Sequence, residues 1–514
     1  MKSETACIEP AELWIIQPPD PPGELDAAVA YLVDAGVNVA FGPGDTLPSH
    51  PPPSLDGIKS ILALFDDLPR IQSQLTDFRG FYPDRDPPYD TSRPSFLGPQ
   101  SGPAGGEAWG KSFIQSYLHK NDRTWLAVYG TSALFNRRIE CPLLLTGDLA
   151  LKSPQLKQRL LARPDRFLRD EWIDNLLTQE RTNWGDIPFN IGMVLLDDYE
   201  VTGDQRCLER AVDLYSRMLD RPPPSFGPPA CMPAAVLVRL YEVTGDQRFI
   251  EPIPRILDQT LDDMLFQKGA IGWCHATQAF SGPTWEYLKQ QAGEMGSYGE
   301  AMCTTYYPAM AMATVVDRED EIATLIAECV RQQRKNLRDE TTGLYWHGLP
   351  GRHEKLDGFI GHGSGWTAMG LVHLLDYFPT RHSAYDEVKS IFLELCQDTL
   401  RVQGEDGSFH SILNYHWTPY CVHYTSWLGH AFLRGARKGY LDQRFVEPGL
   451  KAWEATKMRA FQGRVIGLNA GTPVSRRMPY YLYRYGAMRL DKCMHKHNAQ
   501  PLFLLNEVMR ATGT

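Results

Sequence analysis

The sequence predicts an all-α fold: an (α/α)6 barrel preceded by a Pro/Gly-rich N-terminal extension. Three observations carry that prediction. The octapeptide YEVTGDQR stands twice, at 199–206 and 241–248, each time between two helical stretches. Helices that are apolar on all sides alternate with helices apolar on one stripe, the pattern of buried and half-buried elements. About six such pairs follow one another, the last ending in the apolar stretch HNAQPLFLLNEVMRA. A closed double ring satisfies this pattern, with inner helices walling a cavity and outer helices shielding them. An open α-solenoid is the alternative.

The elements follow in chain order. Residues 1–108 hold PPDPPGELD, FGPGDTLPSHPPPS and PDRDPPYDTSRPSFLGPQSGPAGG, stretches that read as wrapping loop or arm. Short helices are expected within them at 26–34 and 55–65. A helical lead-in packing on the barrel is expected over 109–183. There WGKSFIQSYLHKNDRTWLAVYGTSALFN sets apolar residues at helical spacing on both sides of a polar turn. The barrel is expected over 184–514. Its first hairpin, NIGMVLLDDYEVTGDQRCLERAVDLYSRML, joins a wholly apolar helix to one with a stripe of Leu208, Ala211, Val212, Leu214, Tyr215 and Met218. Gly203 can take the left-handed conformation that ends the first helix, and Asp204 can cap the second. MPAAVLVRLYEVTGDQRFIEPIPRILDQTLDDM repeats the plan. Three further hairpins begin at PAMAMATVV, GWTAMGLVHLL and TSWLGHAFL, and in the last of them DQRFVEP nearly copies DQRFIEP.

Composition narrows the function. The chain has 514 residues, 43% hydrophobic and 22% charged, with a formal net charge of −10. It lacks the basic face a nucleic-acid binder needs, and no apolar run reaches the roughly 18 residues that span a bilayer. The start, MKSETACIEPAELWII, has acids and a proline where a secretory signal needs a basic and then an apolar stretch. The ten cysteines form no CxxC pair, and no Asn-x-Ser/Thr site occurs, so a reducing, cytoplasmic setting is expected. No cofactor is expected: GPAGGEAWGK has neither the spacing nor the preceding strand of a phosphate-binding loop. Cys493, His495 and His497 are a poor zinc set, lying two residues apart in a charged loop, and no metal is expected. The expected partner is a small-molecule substrate, neither nucleic acid nor membrane, with a homodimer left open.

Four motifs converge on one family. GFIGHGSGWTAMGLVHLLDYFP resembles the W-x-R-G-N-G-W-x-x-x-G segment of the unsaturated glycuronyl and rhamnogalacturonyl hydrolases, glycoside hydrolase families 88 and 105. TTGLYWHG resembles the segment that brings a histidine to that family's cavity. YTSWLGHAFLRGARKGYLD is similar to its fifth inner helix, and NAGTPVSRRMPYYLYR to its late G-T…Y-Y segment. The likeness runs from about Trp184 to Met509, with the motifs in family order. It implies the barrel fold. It also implies hydration of a C4–C5 double bond in a uronyl sugar, with aspartic acids at the starts of the second and third inner helices. Here those positions fall on Ala230 and Ala301, with Glu300 next to the second. The motif's first tryptophan becomes Ile360 and its arginine His362, while His347 and Trp366 are retained.

Catalytic candidates are therefore Glu300, His362, His347 and Asp186. Asp186 stands in the first repeat where Ala230 stands in the second. Each has a plain structural role as its alternative: helix cap or first-turn acid for Asp186 and Glu300, turn hydrogen bond for the histidines. The glycines around His362 are expected to let a ligand approach the backbone. Substrate-binding candidates are Trp366, Trp184, Tyr306, Trp273, His416, Trp417, His423 and Tyr424, many of them from the aromatic cluster FHSILNYHWTPYCVHYTSW. Core packing is the alternative for each. Cys231 and Cys303 fall at cavity-mouth registers without a paired base. Three functions fit: an enzyme repurposed for acid/base-assisted cyclisation, elimination or isomerisation of a hydrophobic or aromatic molecule in specialised metabolism; a true unsaturated uronyl hydrolase using Glu300 or Asp186; or a non-catalytic binding barrel.

Overall fold

A computed structural model describes residues 154–266, 299–348, 355–415, 420–465 and 499–513, with short gaps, together with the backbone of four strands before them. Those strands, β1 (Leu13–Gln17), β2 (Val39–Pro43), β3 (Ser60–Phe65) and β4 (Trp125–Gly130), form one parallel sheet in the order β2-β1-β3-β4. The helix expected over 55–65 is thus largely a strand, and so is the centre of the stretch read as helical over 109–136. The reason is visible in LWIIQ, SILALF and WLAVYG. Continuous apolar runs this short fit a buried parallel strand as well as a helix turn, and periodicity cannot separate the two. Strand β4 comes from beyond residue 108 and pairs along its length with β3. The helix expected over 26–34 lies outside the described residues.

The barrel is as the repeats predict. Inner helices α3 (Asp186–Thr202), α5 (Pro228–Thr244), α7 (Tyr307–Thr314), α9 (Gly361–Tyr377), α11 (Val422–Arg437) and α13 (Ala499–Thr512) each pack on the next, and α13 packs back on α3. The ring is therefore closed. The outer helices α4 (Gln205–Leu219), α6 (Ile253–Phe266), α8 (Glu319–Leu337), α10 (Tyr385–Leu400) and α12 (Val446–Lys457) back five of the six. The sixth is backed by α2 (Asp165–Leu177), from the lead-in, which follows the short α1 (Pro154–Leu161). Along α4, Cys207, Ala211, Leu214, Tyr215 and Met218 are buried and the other face is wet, as the stripe requires.

The repeated octapeptide is the turn between inner and outer helix. Gly203 and Gly245 have φ of 72° and 71°, the left-handed region that ends a helix without the Cβ penalty. Asp204 and Asp246 then accept the backbone N–H of Arg206 and Arg248. After the first copy α4 starts directly. After the second, and after the related DQRF at 442–445, a short 3-10 turn comes first. The two copies also differ in their surroundings. Arg169 of α2 donates to Asp198 and Asp204 at the first copy, and the Asp198–Asp204–Cys207 group, tight enough for a cation, is held by that guanidinium instead.

Candidate active site

The inner helices bring one carboxyl and two imidazoles together. Glu300 is 2% exposed, in the turn before a π-helical segment (Met302–Tyr306) that leads into α7. Such widened turns recur at functional sites. Glu300 Oε1 lies 3.8 Å from His347 Nε2 and 3.9 Å from His362 Nε2. Both distances exceed a hydrogen bond. The two imidazole centroids are 5.0 Å apart.

Backbone contacts hold this cluster. The Gly299 N–H donates to the His347 carbonyl at 3.2 Å, and the Gln333 amide donates to the Gly299 carbonyl at 3.3 Å. The turn that carries Glu300 is thereby fastened to the segment that carries His347. His362 is the second residue of α9. A Cβ on Gly361 would stand 2.0 Å from the Tyr424 ring, and one on Gly363 2.2 Å from the Tyr345 carbonyl oxygen. These two glycines of GHGSGW thus admit protein, not ligand, which corrects the sequence reading. Behind His362, its Nδ1 is 2.5 Å from the Tyr424 hydroxyl.

One wall is aromatic. Trp366 and Trp427 have ring centroids 4.4 Å apart, and His423 stacks on Trp427 with an interplanar angle of 6°. Trp427 donates its indole N–H to Gln500, and Gln500 donates to Asn190 at 2.9 Å, so the wall is tied to α13 and α3. His423, Trp427, His430 and Arg434 share one face of α11 at i, i+4, i+7, i+11 spacing. Trp427 closes the aromatic cluster FHSILNYHWTPYCVHYTSW that the sequence reading expected at the cavity mouth.

The other candidates separate. Asp186 opens α3, and its side chain is outside the described part. Trp184 donates its N–H to the Arg221 carbonyl at 3.2 Å, joining the loops before α3 and after α4. Tyr306, expected on the wall, is buried in the π-helical segment beside Cys329 of α8. Tyr424 is fully buried beside His362. Trp273, His416, Trp417, Cys493, His495 and His497 lie outside the described residues. Burial and the neighbouring Glu300 push the Cys303 thiol well above its ordinary range, which disfavours a thiolate nucleophile.

The opposite ends of the same helices carry a dense ion network. Arg434 donates to Asp376 at 3.0 Å and to Glu507 at 3.1 Å, and Arg510 donates to Asp197 at 2.7 Å. Burial would raise the Asp197 carboxyl, but Arg510, Arg434 and Arg239 outweigh it and hold it well below the usual carboxylate range. Deeper in, His373 and His430 stack with Nε2 atoms 3.2 Å apart, and burial pushes both below the ordinary imidazole range.

The closed ring of six helical hairpins is an (α/α)6 barrel, and the comparisons give its family. The Glycosyl Hydrolase Family 88 model matches residues 167–492, well over half the chain, so the chain belongs to that family. A search of curated proteins gives no significant match. Among solved structures, a possible member of glycoside hydrolase family 105 from Salmonella enterica serovar Paratyphi A aligns with TM-score 0.58 at 16% identity. That alignment covers 68% of this chain and 94% of that one. A family 105 glycoside hydrolase from C. acetobutylicum aligns with TM-score 0.54 at 14% identity, covering 67% and 99%. An unsaturated glucuronyl hydrolase specific for heparin aligns with TM-score 0.50 at 10% identity, covering 69% and 98%. At these identities the structural likeness speaks for the fold alone. No helix among the described residues is long and apolar enough to cross a membrane.

Proposed function

We propose that the protein is an acid/base enzyme in which Glu300 delivers a proton to an electron-rich carbon–carbon double bond. His362 steadies the charge and His347 returns the proton. The observation that carries this reading is the single oxygen, Glu300 Oε1, placed 3.8 and 3.9 Å from two imidazole nitrogens. Proton transfer by a positioned side chain needs such an acid within reach of the reacting atom and a partner to take the proton back. The substrate we favour is a neutral hydrophobic or aromatic small molecule, and the outcome is cyclisation, elimination or isomerisation. Two features support that choice: the aromatic pair Trp366 and Trp427, and a histidine at position 362 where the family motif places an arginine. Comparing extracts with and without the gene, and with Glu300→Gln, tests it. A precursor should accumulate equally without the gene and with the variant. No difference between wild type and Glu300→Gln would sink the reading.

Family membership favours a second reading, hydration of a 4,5-unsaturated uronyl sugar with Glu300 as proton donor. The neighbour specific for heparin is an unsaturated glucuronyl hydrolase. Loss of the ultraviolet absorbance of an unsaturated disaccharide during incubation would establish it, and would displace the first.

A further inference from the structure

We propose that Tyr424 is a positioning residue that fixes the tautomer of His362, holding the proton on Nε2 and the lone pair on Nδ1. A neutral imidazole has one donor and one acceptor nitrogen. Nε2 of His362 faces Glu300 Oε1, a carboxyl oxygen that His347 Nε2 also faces, so a proton on Nε2 meets favourable charge. Nδ1 is 2.5 Å from the Tyr424 hydroxyl, which has a proton to give. The phenol donates and the imidazole accepts.

The packing leaves the hydroxyl little freedom. The Tyr424 ring is pressed against Gly361, where even one extra carbon would overlap it, and its other flank meets Trp427 at 5.7 Å between centroids. An arginine at position 362 would need no such partner, because a guanidinium has no tautomers. A histidine there does, since the wrong tautomer would aim a lone pair at the carboxyl oxygen. The value of this device to catalysis rests on the proposed role of Glu300; the tautomer itself does not.

Long-range 1H–15N correlation spectra of the full chain labelled with [15N]histidine test it, with His362→Gln assigning the resonances. The His373–His430 pair supplies an internal reference. His430 Nδ1 bonds the Phe503 carbonyl at 2.9 Å and so carries a proton, which makes His373 the Nε2–H donor between the two rings. For His362 the expected result is an N–H signal at Nε2 and a lone-pair signal at Nδ1. In Tyr424→Phe, which keeps the ring against Gly361, the Nδ1 resonance should move downfield while those of His373 and His430 stay. A proton on Nδ1 in the wild type, in a neutral or a cationic ring, overturns the proposal, and so does an unchanged His362 spectrum in Tyr424→Phe. If the variant does not fold, the wild-type spectrum alone decides. No substrate is needed, so failure here and failure of the Glu300 reading are separate results.

Discussion

The two ends of the inner helices use buried charge in opposite ways. At the end nearer the octapeptide turns, Asp197, Asp376, Glu507, Arg434 and Arg510 are bonded directly, with separations between 2.7 and 3.1 Å. At the other end, Glu300 stands 3.8 and 3.9 Å from its two histidines. The first arrangement satisfies its groups within the protein and locks four inner helices, α3, α9, α11 and α13, together. The second keeps a carboxyl close to imidazoles without closing the gap. The same scaffold thus carries a directly bonded ion network at one end and a wider-spaced acid–imidazole group at the other.

Breaking the paired end should have the largest effect. Arg434→Met takes from Asp376 its hydrogen-bonded cation and from Glu507 one of three arginines, and should cost about 3–5 kcal/mol in denaturant unfolding. Glu300→Gln should behave oppositely. We expect activity to fall by about 10²-fold or more, with stability changed by less than about 1 kcal/mol in the same measurement. If Glu300→Gln unfolds the protein while Arg434→Met does not, the contrast between the ends is wrong.

Acid should sharpen the contrast. His373 and His430 have lowered pKa values in the fold, so below about pH 6.5 the unfolded chain binds protons that the native state refuses. Stability should fall as pH drops below about 6.5, and fall further below about pH 4, where Asp197 and Asp376 resist protonation only in the fold. His373→Gln should flatten the upper part of that curve. The smallest effect compares the two octapeptides. Asp204→Ala loses a helix cap and a partner of buried Arg169, about 2 kcal/mol together. Asp246→Ala loses a cap and a surface ion pair with Arg248 but no buried partner, and should shift thermal unfolding less.

Much of the ring was legible because its signals are local. Gly203 and Asp204 announce a turn and a cap within two residues, and the burial contrast between α3 and α4 is written in a single hairpin. The sheet was not legible. SILALF and WLAVYG are each six residues long, and their pairing partner lies far away in the chain. The site was legible in part. Glu300 emerged one position from the expected acid, and His347 and His362 came with their motifs. Tyr424 did not emerge as the partner of His362, because 62 residues separate them. The glycines beside His362 show that something comes close; they do not say that it is a tyrosine ring and a carbonyl.

Ring closure has a consequence for synthesis on the ribosome. The sixth inner helix, α13, follows all the others in the chain, yet it packs on α3 and α2, the first elements of the ring to emerge. Until α13 leaves the exit tunnel, the flanks of α3 and α2 that it packs on lack that partner. Nascent chains halted before residue 499 should therefore depend on chaperones in a way that chains halted after α13 do not.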